Sequence, residues 1–308
     1  MEKSAFITIL GRANVGKSSL LNKIIGQKVA IVSSKPQTTR TRIMGIKTVG
    51  EIQYVFIDTP GFFKPHNLLG DNMVKAVKSS LADVDAAVLV VDAAAKFKFD
   101  PNSIPAAEAE LINNIKAKKI PCILAVNKID LLKEKDEILK YIDKYSKYYN
   151  FESIIPVSAK DGINTDKILS ELSQFAKPST HYFPDGETTD QPDRIIVAEI
   201  IREKLLRMLE SEVPHGTAVD IESFYERDSK SGEPIIEIGA TIICEKNSHK
   251  GIIIGKGGAM LKNIGTSARR DIEEFFGTKC SLKLWVKVKE DWRNRQNLIR
   301  NFGLDFEK

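Results

Sequence analysis

The sequence predicts two domains: an α/β domain with a mostly parallel six-stranded sheet and helices on both faces, then a smaller α+β domain. Three observations carry this reading. Apolar, β-branched runs recur at 6–10 (FITIL), 29–33 (VAIVS), 52–58 (IQYVFID), 86–92 (AAVLVVD), 122–127 (CILAVN) and 153–158 (SIIPVS), with helix-like stretches between most of them. The runs are continuous rather than alternating, as strands covered on both faces of a parallel sheet require. The pattern then stops at residues 177–193 (KPSTHYFPDGETTDQPD), a polar, period-free stretch with three prolines, which reads as a linker. A chain of 308 residues matches two domains of about 100–200 residues each. We place the first at 1–176, the linker at 177–193 and the second at 194–308.

In chain order, the helical stretches of the first domain are 17–25, 68–82, 104–118, 135–149 and 164–175. The second domain reads as a helix (194–210), two strands (218–226 and 234–245), a glycine-rich helical pair (250–276), a strand (281–289) and a terminal helix (291–302). In the last strand, Leu282, Leu284, Val286 and Val288 alternate with Lys283, Trp285, Lys287 and Lys289, which gives a half-buried strand with a basic outer face. Its outer lysines are candidate phosphate contacts. The terminal helix gathers Trp292, Leu298, Ile299 and Phe302 near one face, with Arg293, Arg295 and Arg300 elsewhere. Packing on its own domain is the first reading and membrane-surface attachment the second.

Composition excludes several classes. At 42% apolar and 28% charged residues the chain is globular rather than disordered. Cys122, Cys244 and Cys280 are far apart with no CxxC, so neither a disulfide framework nor a zinc site is expected, and a reducing compartment is. The N-terminal MEKSAFITILG leads straight into a glycine-rich motif, as a first strand does and a signal peptide does not. The most apolar stretch, 84–95, holds Asp85 and Asp92 and is too short for a bilayer span. A cytoplasmic protein is expected. The net charge of +5 hints at an anionic partner, but its distribution says more. Residues 179–193 carry four acidic and no basic residues, whereas Lys246 to Arg270 carries six Lys/Arg and no acid. Such a patch meets phosphates.

Gly11-Arg-Ala-Asn14-Val15-Gly16-Lys17-Ser18-Ser19 holds the pattern GxxxxGK[ST] between a strand and a helix. There, backbone N–H groups surround phosphates, Lys17 reaches the β and γ oxygens, and Ser18 offers a hydroxyl to Mg²⁺. Asp58-Thr-Pro-Gly61 follows at a strand end; Asp58 can serve the Mg²⁺ site and the Gly61 N–H the γ-phosphate. Asn127-Lys128-Ile-Asp130 is the third element. Guanine presents N1–H and N2–H side by side, which one carboxylate, Asp130, can accept, while the stem of Lys128 covers the base. Ser158-Ala159-Lys160 is the fourth, with a backbone N–H for guanine O6. The predicted nucleotides are GTP and GDP with Mg²⁺. Between the first two elements lies Lys35-Pro-Gln-Thr38-Thr39-Arg40-Thr41-Arg42, a candidate switch that closes on the metal when a γ-phosphate is present. Thr39 is favoured as its metal ligand over Thr38 and Thr41.

The four elements resemble those of the translation-factor-related GTPases and imply a P-loop GTPase domain. One departure stands out: where Ras-like proteins place a glutamine to orient water, this chain has Phe62, so slow intrinsic hydrolysis is expected. In the resembling family an asparagine at the place of Asn14 accompanies a monovalent cation, which implies potassium activation; a purely loop-structuring Asn14 is the other reading.

In the second domain Gly255-Lys256-Gly257-Gly258 is a GxxG loop inside the basic patch. With the α-β-β-α-α-β order it is that of a type II KH domain, an RNA-binding fold. Lys250, Lys256 and Lys262 are candidate phosphate contacts, and Ile252, Ile253 and Ile254 are expected to line the groove on which bases lie. Arg269 and Arg270 could instead pair with Asp271, Glu273 and Glu274 along their helix.

GRANVGKSS, KPQTTRTR, DTPG, NKID and SAK, followed by GIIIGKGG and LKLWVKVKEDWRN, resemble the Era GTPases over essentially the whole chain. Ala13, commonly proline, and Ser19, commonly threonine, are mild departures. The resemblance implies GTP hydrolysis and binding to the 3′ end region of 16S ribosomal RNA on the way to the 30S subunit. It further implies domains that reorient with the nucleotide, a monomer, no DNA partner, and peripheral attachment at the inner membrane face as a secondary location. A non-catalytic RNA-binding scaffold and a related GTPase of tRNA modification or another ribosomal step are the alternatives.

Overall fold

The structure is a computed structural model that describes residues 1–61, 65–95, 103–134, 136–229 and 232–305. The chain forms two compact units: one comprises 1–30, 39–65 and 73–190, the other 31–38, 66–72 and 191–308.

The sheet of the first unit runs β2 (Ile43–Val49), β3 (Ile52–Asp58), β1 (Lys3–Leu10), β4 (Ala86–Asp92), β5 (Cys122–Asn127), β6 (Ser153–Pro156), and a short β7 (Lys177–Pro178) pairs with the start of β1. All neighbours along this path are parallel except the β2–β3 hairpin. In β4, Ala86, Val88 and Val90 enter one core and Ala87, Leu89 and Val91 the other, so its unbroken apolar run has a direct cause: both faces are covered. Helices α1 (Lys17–Ile25) and α5 (Thr165–Leu172) supply the first core, with Leu20, Leu21, Ile24, Ile168 and Leu172. On the other face α2 (Leu68–Ser79), α3 (Ala106–Lys118) and α4 (Glu137–Ser146) bring Val77, Leu111, Ile112, Ile115 and Tyr145.

Two expectations are corrected here. Residues 29–33 form no strand, although Val29, Ala30 and Ile31 are buried. At Val29 and Ala30 a side chain takes the backbone bonds instead: Asn22 Oδ1 accepts the N–H groups of Val29 and Ala30 at 3.0 and 2.9 Å, and Asn22 Nδ2 donates to Ala30 O at 2.7 Å. Segment 43–49 takes the edge position because the Gly50 turn (φ 59°) folds it back onto β3. Nor is 177–190 a free linker. Buried Gln53 donates to Phe183 O at 2.9 Å and accepts the N–H groups of Tyr182 and Phe183 at 2.8 and 3.0 Å, while Tyr182 packs edge-on against Phe6. This stretch therefore belongs to the first unit through Asp190.

The second unit places α6 (Asp193–Met208), α7 (Asn247–Ile254) and α8 (Ala259–Phe276) with the sheet β10 (Lys279–Val288), β9 (Pro234–Cys244), β8 (Ala218–Asp228). β10 is parallel to β9 and β8 antiparallel, with a bulge between Ile221 and Ser223. The order αββααβ is that expected from the sequence. The core joins Val197, Ile201 and Leu205 of α6 to Ile236, Ile238 and Ile242 of β9 and to Ile264 and Ile272 of α8. The terminal segment packs on its own unit: Trp292 is buried, donates from Nε1 to Gly216 O at 2.9 Å and meets Phe302 edge-on, and Ile299 of α9 (Gln296–Asn301) is buried too. Its apolar face is thereby consumed. Among the described residues no helix is long and apolar enough to cross a membrane.

Candidate functional site

The carboxyl end of the parallel sheet collects the four sequence elements. β1 delivers Gly11 (φ 148°) into a loop that ends at Gly16 (φ 100°), and Lys17 opens α1. Glycine is required at both positions by space as well as by φ: a Cβ on Gly11 would lie 2.4 Å from Val90 O, and one on Gly16 2.2 Å from Asn127 Nδ2. Asn127, at the end of β5, fastens the loop by donating to Val15 O at 2.8 Å, and its Oδ1 accepts the Ala159 N–H at 3.0 Å. Lys128 Nζ donates to Asn14 O at 2.7 Å and pairs with Asp92 at 2.6 Å. Asp92 was absent from the sequence reading of the site; the parallel register sets it beside Asn127, at the neighbouring strand end. Asp130 Oδ1 accepts from Ser158 Oγ at 2.8 Å, which holds the carboxylate next to Ala159. Lys160 is exposed.

Lys17 is buried and its Nζ donates to the carbonyls of Gly11 and Arg12 at 3.2 and 3.1 Å. Burial pulls its pKa down, opposed by the charge of Asp58. Asp58 is fully buried at the end of β3, and burial pushes its pKa up against the pull of Lys17, Ser18 and Thr39. Ser18 Oγ lies 2.6 Å from Asp58 Oδ2 and 2.9 Å from Thr39 Oγ1. Among the described residues Asp58 Oδ1 is buried without a hydrogen-bond partner. Two hydroxyls and a carboxylate with an unused oxygen form a hard-oxygen set that fits Mg²⁺. Of the three switch threonines, Thr39 is the one brought to this cluster; Thr38 Oγ1 is occupied by Lys35 O at 2.6 Å and Ser33 Oγ at 3.0 Å. At Gly61 a Cβ would stand 2.6 Å from Ala13 Cα, so its main chain runs against the phosphate loop. Phe62 lies outside the described residues.

In the second unit α7 ends at Gly255 (φ 72°), and Gly257 (φ 59°) and Gly258 (φ 81°) carry the chain into α8. Positive φ at three positions in four explains the glycines. Beside the loop, α8 and β10 border an open groove of about 480 Å³ whose lining includes Gly258, Leu261, Lys262, Gly265, Arg269 and Leu284. Lys262 and Arg269 are exposed on its rim, and Lys256 and Gly257 are exposed in the loop. Arg269 is loosely paired, 4.0 Å from Glu273. Ile253 is corrected: it is fully buried in the core of the unit, not in the groove. One residue of helical phase separates it from Ile252, which is half exposed. The apolar floor comes from Leu261, Leu282 and Leu284 instead, which a reading confined to the GxxG neighbourhood did not reach. Lys250 is half-buried and not part of this lining. The outer lysines of β10 alternate away from the leucines, and Lys287 is paired with Glu222 at 3.0 Å.

Residues 6–128 match the family model described as 50S ribosome-binding GTPase, and residues 212–293 match the KH domain model. The chain is 48% identical over 303 residues to the GTPase Era of Clostridioides difficile (strain 630), covering 98% of this chain and 99% of that one. It is 49% identical over 304 residues to the GTPase Era of Alkaliphilus oremlandii (strain OhILAs), with the same coverage. The chain belongs to the Era family of GTPases. Two solved Era structures superpose on this Era-family chain. One is Era in complex with MgGDPNP and nucleotides 1506–1542 of 16S ribosomal RNA, at TM-score 0.92 and 36% identity, covering 99% of this chain and 100% of that one. The other is a single-substitution variant of Aquifex aeolicus Era bound to GDP and AlF4⁻, at TM-score 0.91 and 36% identity with the same coverage. The chain is thus a P-loop GTPase joined to a KH domain, using a guanine nucleotide and Mg²⁺ to hydrolyse GTP.

Proposed function

We propose that this chain is a GTP-controlled switch that binds the 3′ end region of 16S ribosomal RNA and acts in assembly of the 30S subunit. The observation that carries the reading is one chain holding both a four-element guanine-nucleotide site and a GxxG loop beside an apolar groove with a basic rim. The proposed nucleotide residues are Gly11, Asn14, Val15, Gly16, Lys17, Ser18, Ser19, Asp58, Gly61, Asn127, Lys128, Asp130, Ser158, Ala159 and Lys160. Lys17 would exchange the carbonyls of Gly11 and Arg12 for β and γ oxygens, a stronger charge-assisted pairing. Ser18, Thr39 and Asp58 would hold Mg²⁺, which when bound offsets phosphate charge. Because Thr39 reaches that cluster from the switch segment, the presence of a γ-phosphate is readable as order in residues 35–42. On the RNA side, glycines at 255, 257 and 258 let a sugar-phosphate chain approach the main chain, Lys256, Lys262 and Arg269 meet phosphates, and the leucine floor takes base faces.

Crosslinking to cellular RNA with a non-hydrolysable GTP analogue, followed by sequencing of the bound fragments, tests this. Small-subunit rRNA 3′ ends are expected. Recovery of tRNA would overturn the reading in favour of a modification GTPase. The proposed site of action is the cytoplasmic ribosomal particle, with the protein acting as a monomer.

Potassium is proposed as the activating monovalent ion. Asn14 sits exposed in left-handed conformation (φ 64°) at the turn of the phosphate loop, with its own carbonyl engaged by Lys128. GTPase rates in potassium and sodium buffers of equal ionic strength are expected to differ by about tenfold or more, the effect of one added positive charge at the transferring phosphoryl group. Equal rates would refute the ion's role.

A further inference from the structure

Asp58, Glu108 and Glu203 are fully buried carboxylates. Asp58 belongs to the metal site and Glu203 to an ion cluster of the second unit, but Glu108 has no part in the nucleotide chemistry described above. It stands in the first turn of α3, where the helix N-terminus favours a negative charge. Its Oε1 accepts from Arg12 Nε at 2.6 Å, and its Oε2 accepts from the hydroxyl of Tyr145, a buried residue of α4. Arg12 is the second residue of the phosphate loop, and its carbonyl oxygen holds Lys17 Nζ at 3.1 Å. A short chain of bonds therefore runs from two helices on one face of the sheet to the carbonyl that seats the phosphate-binding lysine. Burial and the neighbouring carboxylate drive the Tyr145 phenol far above its ordinary pKa, so it remains a donor across the working range.

A buried carboxylate is costly to keep, and an apolar residue would fill the same space at the α3–α4 contact more cheaply. What Glu108 adds is orientation. The Arg12 guanidinium reaches it from a residue whose side chain is 31% exposed, through one charge-assisted bond from Nε at 2.6 Å.

We propose that Glu108, itself oriented by Tyr145, is a positioning residue of the phosphate loop: by fixing Arg12 it presets the main chain of Gly11–Lys17 for the β-phosphate. The β-phosphate is common to GTP and GDP, so the contribution is made to both nucleotides alike. This separates it from a switch residue, which acts only when a γ-phosphate is present.

The test measures binding of fluorescent GDP and of a non-hydrolysable GTP analogue to the full chain, with GTPase kcat and KM and the melting temperature. Glu108→Gln and Arg12→Ala are each expected to weaken both nucleotides by about tenfold, the worth of one charge-assisted hydrogen bond. Because they act in series, the double variant is expected to be no weaker than the worse single variant. Arg12→Lys is expected to recover part of the loss. Tyr145→Phe removes one hydroxyl and keeps the core filled; a roughly threefold loss for both nucleotides is expected of it, so the proposal stays testable if Glu108→Gln folds poorly. Melting temperatures that fall while affinity and KM stay within about twofold would make Glu108 a packing residue only and overturn the proposal. Additive losses in the double variant, or a loss confined to the GTP analogue, would overturn it as well. Wild-type binding of GDP is the control for the nucleotide site itself.

Discussion

Asp130→Asn is expected to exchange guanine for xanthine as the preferred base. A carboxylate accepts two adjacent donors, N1–H and the exocyclic amino group of guanine. In xanthine a carbonyl replaces that amino group, so a carboxylate would face a lone pair. Asparagine reverses the match, its oxygen accepting N1–H and its amide nitrogen donating to the new carbonyl. The structure gives the side chain a fixed bearing: Ser158 Oγ donates to Asp130 Oδ1 at 2.8 Å, and Ser158 Oγ is itself placed by the Asp161 N–H at 3.1 Å. A hydrogen bond to a charged group is worth about 1.5–3 kcal/mol, and a buried mismatch costs at least as much again. GTP affinity is therefore expected to fall by roughly 100-fold or more and XTP affinity to rise comparably, a swing in preference of about 10⁴. Competition of unlabelled GTP and XTP against a fluorescent nucleotide reads this directly. A variant that still prefers GTP would show that Asp130 does not contact the base edge.

The nucleotide site was legible because its chemistry is local. A phosphate loop needs its glycines and lysine in one short string, and the string carries the strand and the helix that flank it. What failed to show was set by partners distant in sequence. VAIVS at 29–33 has the composition of a strand, yet the side chains of Asn22 and Glu203 take the N–H groups of Val29, Ala30 and Val32, and nothing in the run itself announces that. IMGIKTV at 43–49 pairs instead because Gly50 returns it to β3. Thr39 could be ranked above its neighbours but not fixed, since the register of a switch depends on Asp58 at the end of another strand. The same holds for the polar stretch 177–190, whose anchor is the amide of Gln53 near the start of a mostly apolar strand. On the RNA side the GxxG loop was readable from its glycines, while the groove floor depends on a β10 strand that follows eighteen residues of helix. Helical phase also decided Ile253: three consecutive isoleucines cannot all face one side of α7.

Lys204→Ala is expected to destabilise the second unit by about 3–5 kcal/mol, the cost of breaking a buried ion pair from one side. Lys204 is 2% exposed on α6, which buries the consecutive charged residues Arg202, Glu203 and Lys204 alongside its apolar face. Its ammonium donates to Glu203 Oε2 at 2.9 Å and to Asp271 Oδ2 on α8. Glu203 Oε1 meanwhile accepts from Val32 N at 3.0 Å and Arg207 at 3.1 Å. Removing the ammonium leaves the fully buried Glu203 carboxylate facing the 14% exposed one of Asp271, so their repulsion adds to the lost attraction. Both tryptophans, Trp285 and Trp292, lie in this unit, which makes tryptophan fluorescence a reporter of its unfolding alone. A fall in its midpoint of roughly 10–20 °C is expected at that free-energy loss. The explanation is electrostatic, and it can be separated from lost packing. Lys204→Met restores the hydrocarbon stem and should recover little, whereas Lys204→Met combined with Glu203→Gln and Asp271→Asn removes the charges together and should recover most of the stability, since neutral replacements of buried ion clusters are often close to neutral in cost. If Lys204→Met alone restored the midpoint, the lysine would be serving as a hydrocarbon filler and the ion cluster would contribute nothing to holding α6 on α8.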